Sequence, residues 1–182
     1  MNILENKVAV ITGASRGIGA GIAEKFAACG ASVALIYGGN EEKALAVRDE
    51  IRSRYSVKAE IYRCDVSSSE ECGNTVKSIL ADFGTVDILV NNAGIVRDNL
   101  IAMMKDEEFD DVLNVNLKGA FYMIRALSRT FIRKKKRQDH QHSVGIGSYG
   151  YGGSGKLCRV KGGRYCAHQN DGARICRQKR HL

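Results

Sequence analysis

The sequence predicts an α/β fold built on a doubly wound parallel sheet, which is incomplete and is followed by a poorly ordered C-terminal tail. Two observations lead to this expectation. Over the first 132 of the 182 residues, short apolar and β-branched runs alternate with helical patterns, as is typical of parallel sheets covered by helices. The last 50 residues differ from the rest in charge and in composition.

Each predicted element follows from a local pattern. Strands are expected at 7–12, 32–37, 57–63 and 86–91, because each range is a short apolar run. Helices are expected from the glycine-rich turn after the first strand to Cys29, and then at 41–54, 69–83 and 111–133, where apolar residues recur at helical spacing. Gly30 is expected to end the first helix and Asn40 to cap the second.

Charge divides the chain into two parts. Residues 133–182 hold 13 Lys or Arg and two Asp, a net charge of +11, whereas residues 1–132 hold 15 basic and 18 acidic residues, a net charge of −3. The tail also carries nine of the 20 glycines and little hydrophobic periodicity. It therefore buries little apolar surface, and we expect it to be poorly ordered.

Composition excludes several classes of protein. The apolar runs are too short to cross a bilayer, and the N-terminal residues show no signal-peptide pattern. We therefore expect a cytoplasmic protein. The six cysteines form no Cys-x-x-Cys pair, which favours free thiols over a disulfide framework, and no metal site is predicted.

A glycine-rich segment joins the first predicted strand to the first helix. Residues 12–19 read Thr-Gly-Ala-Ser-Arg-Gly-Ile-Gly, and such glycines let the backbone approach a pyrophosphate at the helix N-terminus. The spacing differs from the general Gly-x-Gly-x-x-Gly pattern, so an ordinary glycine-rich turn is the alternative. We predict a dinucleotide site formed by Gly13, Ser15, Arg16, Gly17, Ile18 and Gly19.

The residues after the second strand bear on the choice of dinucleotide. An NAD site usually places Asp or Glu there to bind the ribose 2′-hydroxyl, but residues 37–40 read Tyr-Gly-Gly-Asn. Arg16 could pair with a 2′-phosphate, although it could equally be a solvated surface charge. We therefore expect NADP, with NADPH as its reduced form.

Two further segments follow predicted strands. Asp65 could accept a hydrogen bond from an adenine amino group while Val66 packs on the ring, or Asp65 could simply cap a helix or form a turn. Residues 91–94 read Asn-Asn-Ala-Gly, where amide side chains can tie strand ends together and small residues leave room for a cofactor. By itself this segment could also be only a turn.

Taken together, four motifs resemble the short-chain dehydrogenase/reductase family, and most closely its bacterial 3-oxoacyl-[acyl-carrier-protein] reductases. They are the glycine segment 12–19, Cys-Asp-Val at 64–66, Asn-Asn-Ala-Gly at 91–94 and Asn-Val-Asn-Leu-Lys-Gly at 114–119, in this order, and the similarity runs from about Val8 to Lys136. The resemblance implies a Rossmann-like domain at 1–136, with Asp65 and Val66 at the adenine and Asn91, Ala93 and Gly94 beside the cofactor. It also implies that Asn116 positions a catalytic lysine and a proton-relay water.

The resemblance also implies an activity. It is the NADPH-dependent reduction of a 3-oxoacyl thioester of acyl carrier protein in fatty acid biosynthesis. Family relatives are often homotetramers. We expect no membrane or nucleic-acid partner. The family chemistry needs a serine and a Tyr-x-x-x-Lys pair, in which the lysine lowers the tyrosine pKa. No Tyr-x-x-x-Lys occurs after residue 136, so we expect this chain to be inactive.

A change of reading frame explains the break. With suitable codons, reading one nucleotide later from Asp139 recovers a serine across Val144/Gly145 and the Tyr-x-x-x-Lys pair across Leu157/Cys158 and Lys161/Gly162. We therefore interpret residues 137–182 as an out-of-frame tail. A nonfunctional truncated product is one alternative, and a nucleotide- or nucleic-acid-binding protein that uses the basic tail is another.

Overall fold

The computed structural model describes residues 3–135, and this part of the chain forms a four-stranded sheet flanked by helices. The strands are β1 (Val8–Thr12), β2 (Ser32–Tyr37), β3 (Ala59–Arg63) and β4 (Ile88–Val90). The α-helices of this part are α1 (Gly17–Ala28), α2 (Glu41–Arg54), α3 (Ser69–Phe83), α4 (Asp106–Leu113) and α5 (Gly119–Lys135). A single turn of 3₁₀ helix covers Ile101–Met103, and a π-helical turn, Asn114–Lys118, joins α4 to α5.

The sheet is parallel and its strand order is β3-β2-β1-β4. The chain therefore adds β2 and β3 on one side of β1 and then crosses to place β4 on the other side. This arrangement confirms the predicted doubly wound sheet. The predicted tail, 137–182, lies outside the described residues.

Alternate residues of the strands face two separate cores. Val8 and Val10 of β1 pack with α3 and α5, whereas Ala9 and Ile11 pack with α1 and α2. Because both faces are covered, all five residues of β1 are buried. At β4, an edge of the described sheet, Ile88 and Leu89 are only half-buried.

The helix ends mostly follow the predicted signals. Gly30 follows α1 with φ +91°, and the Asn40 side chain accepts a hydrogen bond from Lys43 N at 2.8 Å. Both predicted caps are confirmed. The predicted strands at 57–63 and 86–91 are shorter in the structure, because strand pairing begins only at Ala59 and Ile88.

The helix predicted at 111–133 has a different form. It begins five residues earlier, at Asp106, and the π-helical turn interrupts it before α5. The start was missed because Lys105 is not a usual N-cap residue. The Glu108 carboxylate accepts a hydrogen bond from Lys105 N at 3.0 Å, and three acidic residues occupy the first turn, which the helix dipole favours.

None of the helices in the described part of the chain is both long enough and apolar enough to span a membrane.

Asp87 joins three elements at the amino end of the sheet. Its Oδ2 accepts a hydrogen bond from Val8 N at 2.9 Å, and its own N donates to Val8 O at 2.8 Å. Its Oδ1 pairs with Lys7 at 3.8 Å and with Lys134 of α5. The Asp87 side chain is only 12% exposed, so these contacts hold β1, the start of β4 and the end of α5 together away from bulk water.

We predict that Asp87→Ala lowers the free energy of unfolding by about 2–3 kcal/mol, because Val8 N–H loses its acceptor and the ion pairs of Asp87 with Lys7 and Lys134 are lost. Asp87→Asn keeps an acceptor for Val8 and should cost about 1 kcal/mol. Urea denaturation of the two variants measures both values. Equal losses would show that the hydrogen bond to Val8 contributes nothing beyond the ion pairs.

Candidate nucleotide-binding site

The candidate site lies where the strand order of the sheet reverses. β2 and β4 flank β1 on opposite sides, so the loops after β1 and β4 diverge from neighbouring strand ends. Ligands of open parallel α/β sheets bind at such a reversal, outside the carboxyl ends of the strands. The glycine segment 12–19 begins at the end of β1, and the segment 91–94 directly follows β4.

Thr12 and Asn92 tie the two strand ends together. The Thr12 hydroxyl is buried, donates to Val90 O at 3.3 Å and accepts from Asn92 N and Ala93 N, both at 3.0 Å. The Asn92 side-chain amide donates to Thr12 O at 3.0 Å and to Gly13 O at 3.2 Å. The predicted tie between neighbouring strand ends is therefore present, and Asn92 and Thr12 form it.

The glycine segment has no room for side chains at two of its positions. A Cβ on Gly13 would lie 2.9 Å from Ala93 Cα, and Gly13 itself has φ +66°. A Cβ on Gly19 would overlap the Gly13 carbonyl oxygen and lie 2.5 Å from Asn92 Nδ2. Gly17 has open space around it but a φ of +58°, which L side chains rarely adopt.

The start of α1 suits an anion. Its first turn contains no acidic residue, and Arg16, at the N-cap position, makes no side-chain capping bond. The first N–H groups of a helix have no partner within the helix, and the helix dipole favours negative charge there. Arg16 and Ile18 are exposed and Ser15 is half-buried, so a cation also stands at this helix end.

Asp65 and Val66 lie in the turn between β3 and α3. Asp65 is exposed, and its Oδ1 accepts hydrogen bonds from Ser67 N at 2.9 Å and Ser67 Oγ at 2.7 Å. Val66 is buried against Gly119, where an added Cβ would lie 2.9 Å from Val66 Cγ2. The turn thus packs directly on the start of α5.

A shallow open cleft lies beside these elements. It brings together residues from the glycine segment, the Asp65 turn, the loop after β4 and α5. Its lining residues are Thr12, Val66, Asn91, Ala93, Val115, Gly119 and Ala120. Four segments that are far apart in the sequence therefore meet at one place. Gly94 is exposed just beyond the cleft.

Asn116 lies in the π-helical turn and is completely buried. Its Oδ1 accepts from Ile95 N at 2.8 Å, and its Nδ2 donates to Ile95 O at 2.9 Å. The side chain therefore holds the backbone that follows Gly94. This contact fixes the loop beside the cleft, whereas the role in positioning a lysine and a water stays a prediction.

A carboxylate that the sequence reasoning missed lies near the end of β2. Burial, and then the neighbouring Glu41 carboxylate, raise the pKa of Tyr37, the last residue of β2, while the positive charge of Arg63 acts in the opposite direction. Glu41 is the first residue of α2 and follows the Tyr-Gly-Gly-Asn segment. An acidic group is thus present here, one residue beyond the segment considered in the sequence.

Within residues 3–135, no three His, Cys, Asp or Glu side chains come together to form a metal site.

Comparison with known proteins gives a family match over most of the chain. The model of the short chain dehydrogenase family matches residues 7–140. The chain is 39% identical over 158 residues to the 3-oxoacyl-[acyl-carrier-protein] reductase FabG of Staphylococcus epidermidis. That match covers 87% of this chain and 64% of the relative, so the chain spans less than two thirds of that relative's length.

Solved structures give the same result. A metagenomic short-chain oxidoreductase in complex with NADP is 41% identical, with a TM-score of 0.69 over 72% of this chain and 59% of the other. A short chain dehydrogenase from Burkholderia cenocepacia, also in complex with NADP, is 38% identical, with a TM-score of 0.67 over 70% of this chain and 51% of the other.

The motifs at 12–19, 64–66, 91–94 and 114–119 thus occur in one fold, at one cleft, in a chain whose family model covers residues 7–140. The resemblance inferred from the sequence is confirmed, and the chain belongs to the short chain dehydrogenase family.

Proposed function

We propose that this chain binds NADPH at the cleft and is related by function to NADP-dependent 3-oxoacyl-[acyl-carrier-protein] reductases. The observation that carries the proposal is the glycine segment packed against Asn92 and Ala93 at the reversal of strand order. Because Gly13 and Gly19 have no side chains, the segment packs directly against Asn92 and Ala93, and a glycine-rich turn of this kind lets the protein backbone approach a pyrophosphate. The name of the similar Staphylococcus epidermidis enzyme supplies the substrate class.

In this proposal each part of the cofactor has its own residues. The pyrophosphate lies on Gly13, Ser15, Gly17, Ile18 and Gly19 at the start of α1, and Arg16 pairs with the 2′-phosphate. Asp65 accepts from the adenine amino group and Val66 packs on the ring. Asn91, Ala93 and Gly94 border the remainder of the cofactor. NADPH would supply the hydride. The residues named here would hold NADPH in place, with its pyrophosphate at the N–H groups at the start of α1 and its 2′-phosphate at the Arg16 guanidinium.

The reaction class follows from the relatives. NADPH, a proton and a 3-oxoacyl thioester of acyl carrier protein would give the 3-hydroxyacyl thioester and NADP⁺. The family resemblance gives Asn116 the role of positioning a lysine and a water. In this chain, which lacks the Tyr-x-x-x-Lys pair, Asn116 would contribute by holding the loop at Ile95. The cytoplasmic location expected from the sequence belongs to the same proposal.

We also propose that this chain transfers hydride poorly. Proton transfer to the new alcohol needs a tyrosine whose pKa is lowered by a lysine four residues on, and no tyrosine of the 182 residues has such a lysine. The division into a cofactor-binding part at 1–136 and an out-of-frame tail at 137–182 remains our interpretation of this loss.

The surface of the π-helical turn and α5 is consistent with assembly into homo-oligomers. Phe121 is 55% exposed, and Leu117 and Ile124 are about 40% exposed on the same part of the chain. Large apolar side chains exposed together favour contact with another protein surface. Assembly of this chain into a homotetramer stays part of the proposal.

The glycine cradle can be tested with two matched variants of α1. Gly19→Ala places a Cβ against Gly13 O and Asn92 Nδ2, and we expect NADPH affinity to fall at least about ten-fold, since the loop must shift. Gly21 lies two residues further along α1 in open space, so Gly21→Ala should stabilise the helix by up to about 1 kcal/mol without loss of affinity. Fluorescence titration with NADPH measures both, and equal affinities would contradict the cradle.

Arg16 should determine the preference for the phosphorylated cofactor. Arg16→Ala is expected to weaken NADPH binding about 10- to 100-fold, as loss of a charged hydrogen bond predicts, and to leave NADH binding unchanged. Lys25→Ala removes a cation from the opposite end of α1 and serves as the control. If the two variants bind NADPH equally, Arg16 is only a solvated charge.

The Glu41 carboxylate near the end of β2 would repel the 2′-phosphate. Glu41→Gln removes this negative charge and therefore should not weaken NADPH binding.

The loss of catalysis can be tested directly. With an acetoacetyl thioester, we expect NADPH oxidation at least about 100-fold slower than in a relative that has the Tyr-x-x-x-Lys pair, because general acid catalysis is lost. NADPH binding is measured on the same sample, so that a low rate is not confused with an empty site. A rate near that of the intact relative would overturn the proposed inactivity.

A further inference from the structure

The turn at residues 64–68 is held by the first turn of the helix that follows it. Asp65 N donates to the Glu71 carboxylate, with 2.8 Å between Asp65 N and Glu71 Oε2. Glu71 N in turn donates to Ser68 Oγ at 3.3 Å, and Ser68 N donates to Asp65 O at 3.0 Å. These three bonds close a ring around the turn that presents Asp65.

This arrangement differs from an ordinary capping box. In a capping box the acidic residue at the third helical position returns to the backbone N–H of the N-cap residue. Here Ser68 is the N-cap, and its N–H donates to Asp65 O. The Glu71 carboxylate instead accepts a hydrogen bond from Asp65 N, three residues before the N-cap. The Glu71 carboxylate is therefore bonded to the residue proposed to meet adenine.

Cys72, the residue after Glu71, also bonds the first turn of α3 to the turn at residues 64–68. Cys72 is fully buried, and its thiol donates to Val66 O with 3.5 Å between sulfur and oxygen. The hydrogen bond with Cys64, together with burial, raises the pKa of the Cys72 thiol, so Cys72 keeps its proton as a donor. The first turn of α3 thus contacts the backbone of both Asp65 and Val66.

The Asp65 side chain is oriented within this ring. Its Oδ1 accepts both bonds from Ser67. Within residues 3–135, Oδ2 accepts no hydrogen bond, and it is the oxygen that remains for a ligand. Because the turn is already ordered before binding, Asp65 Oδ2 can accept a hydrogen bond from the adenine amino group at a lower entropic cost of association.

We propose that Glu71 is a positioning residue for adenine recognition, acting through the backbone N–H of Asp65. The inference rests on the proposed binding of NADPH at this cleft. Glu71 does not contact the nucleotide. It keeps the turn closed so that Asp65 and Val66 meet the adenine ring together.

Three variants of the full chain separate this role from a general effect on α3. Glu71→Ala removes the acceptor, whereas Glu71→Gln keeps an oxygen for Asp65 N. Glu70→Ala removes the other glutamate from the same first helical turn, and so it also removes one negative charge from the helix N-terminus.

The probe is adenosine 2′,5′-bisphosphate, which contains the adenosine half of the cofactor and requires no catalysis. Isothermal titration calorimetry should show an affinity about three- to ten-fold lower for Glu71→Ala, as loss of one ordered hydrogen bond predicts. Affinities of Glu71→Gln and Glu70→Ala should lie near that of the unmodified chain. Equal affinity of the two alanine variants would overturn the role of Glu71.

Amide hydrogen exchange gives a readout that is independent of the ligand. Exchange at Asp65 N–H should become faster in Glu71→Ala and remain unchanged in Glu70→Ala, because only the first variant frees this N–H. If exchange at Asp65 is unchanged in Glu71→Ala, the positioning role is wrong while the cofactor proposal stands. If the unmodified chain does not bind the bisphosphate, the cofactor proposal fails, and the role of Glu71 fails with it.

Discussion

The hydrogen bonds between Thr12 and Asn92 are the constraint on which the candidate site depends. β1 and β4 pair over only three residues, so the loops beyond them would otherwise be free to separate. The Thr12 hydroxyl makes one donor bond and two acceptor bonds, and the Asn92 amide reaches two carbonyl oxygens across the gap. All three hydrogen-bonding possibilities of a hydroxyl are thus used at the strand ends.

This tie explains why glycine is needed in the segment that follows β1. Asn92 Nδ2 and Ala93 occupy the space into which Cβ atoms of Gly13 and Gly19 would project. The π-helical turn and the start of α5 support this arrangement, because buried Asn116 binds the backbone of Ile95 and Gly119 lets Val66 approach. Hydrogen bonds and close packing therefore hold together the four segments that line the cleft.

Much of this could be predicted from the sequence. The order of the four strands, the helices α1 to α3 and the caps at Gly30 and Asn40 follow from local patterns, and the structure has them. Strand ends were less predictable, because pairing with a neighbour decides where β3 and β4 begin. The π-helical turn at Asn114–Lys118 has no local signal either, since its buried asparagine is satisfied by a residue 21 positions away.

By itself, the sequence determined the fold class, the glycine segment and the family, because periodicity and short motifs are properties of neighbouring residues. It also shows the absence of a Tyr-x-x-x-Lys pair. Only the tertiary structure decided which side chains hold the cleft together. Asn92 meets Gly13 across 79 positions, Glu41 is brought beside Tyr37, and Glu71 turns from its own helix end to Asp65. Such pairings depend on which strand ends and helix ends become neighbours when the sheet assembles, and local sequence carries no record of that proximity.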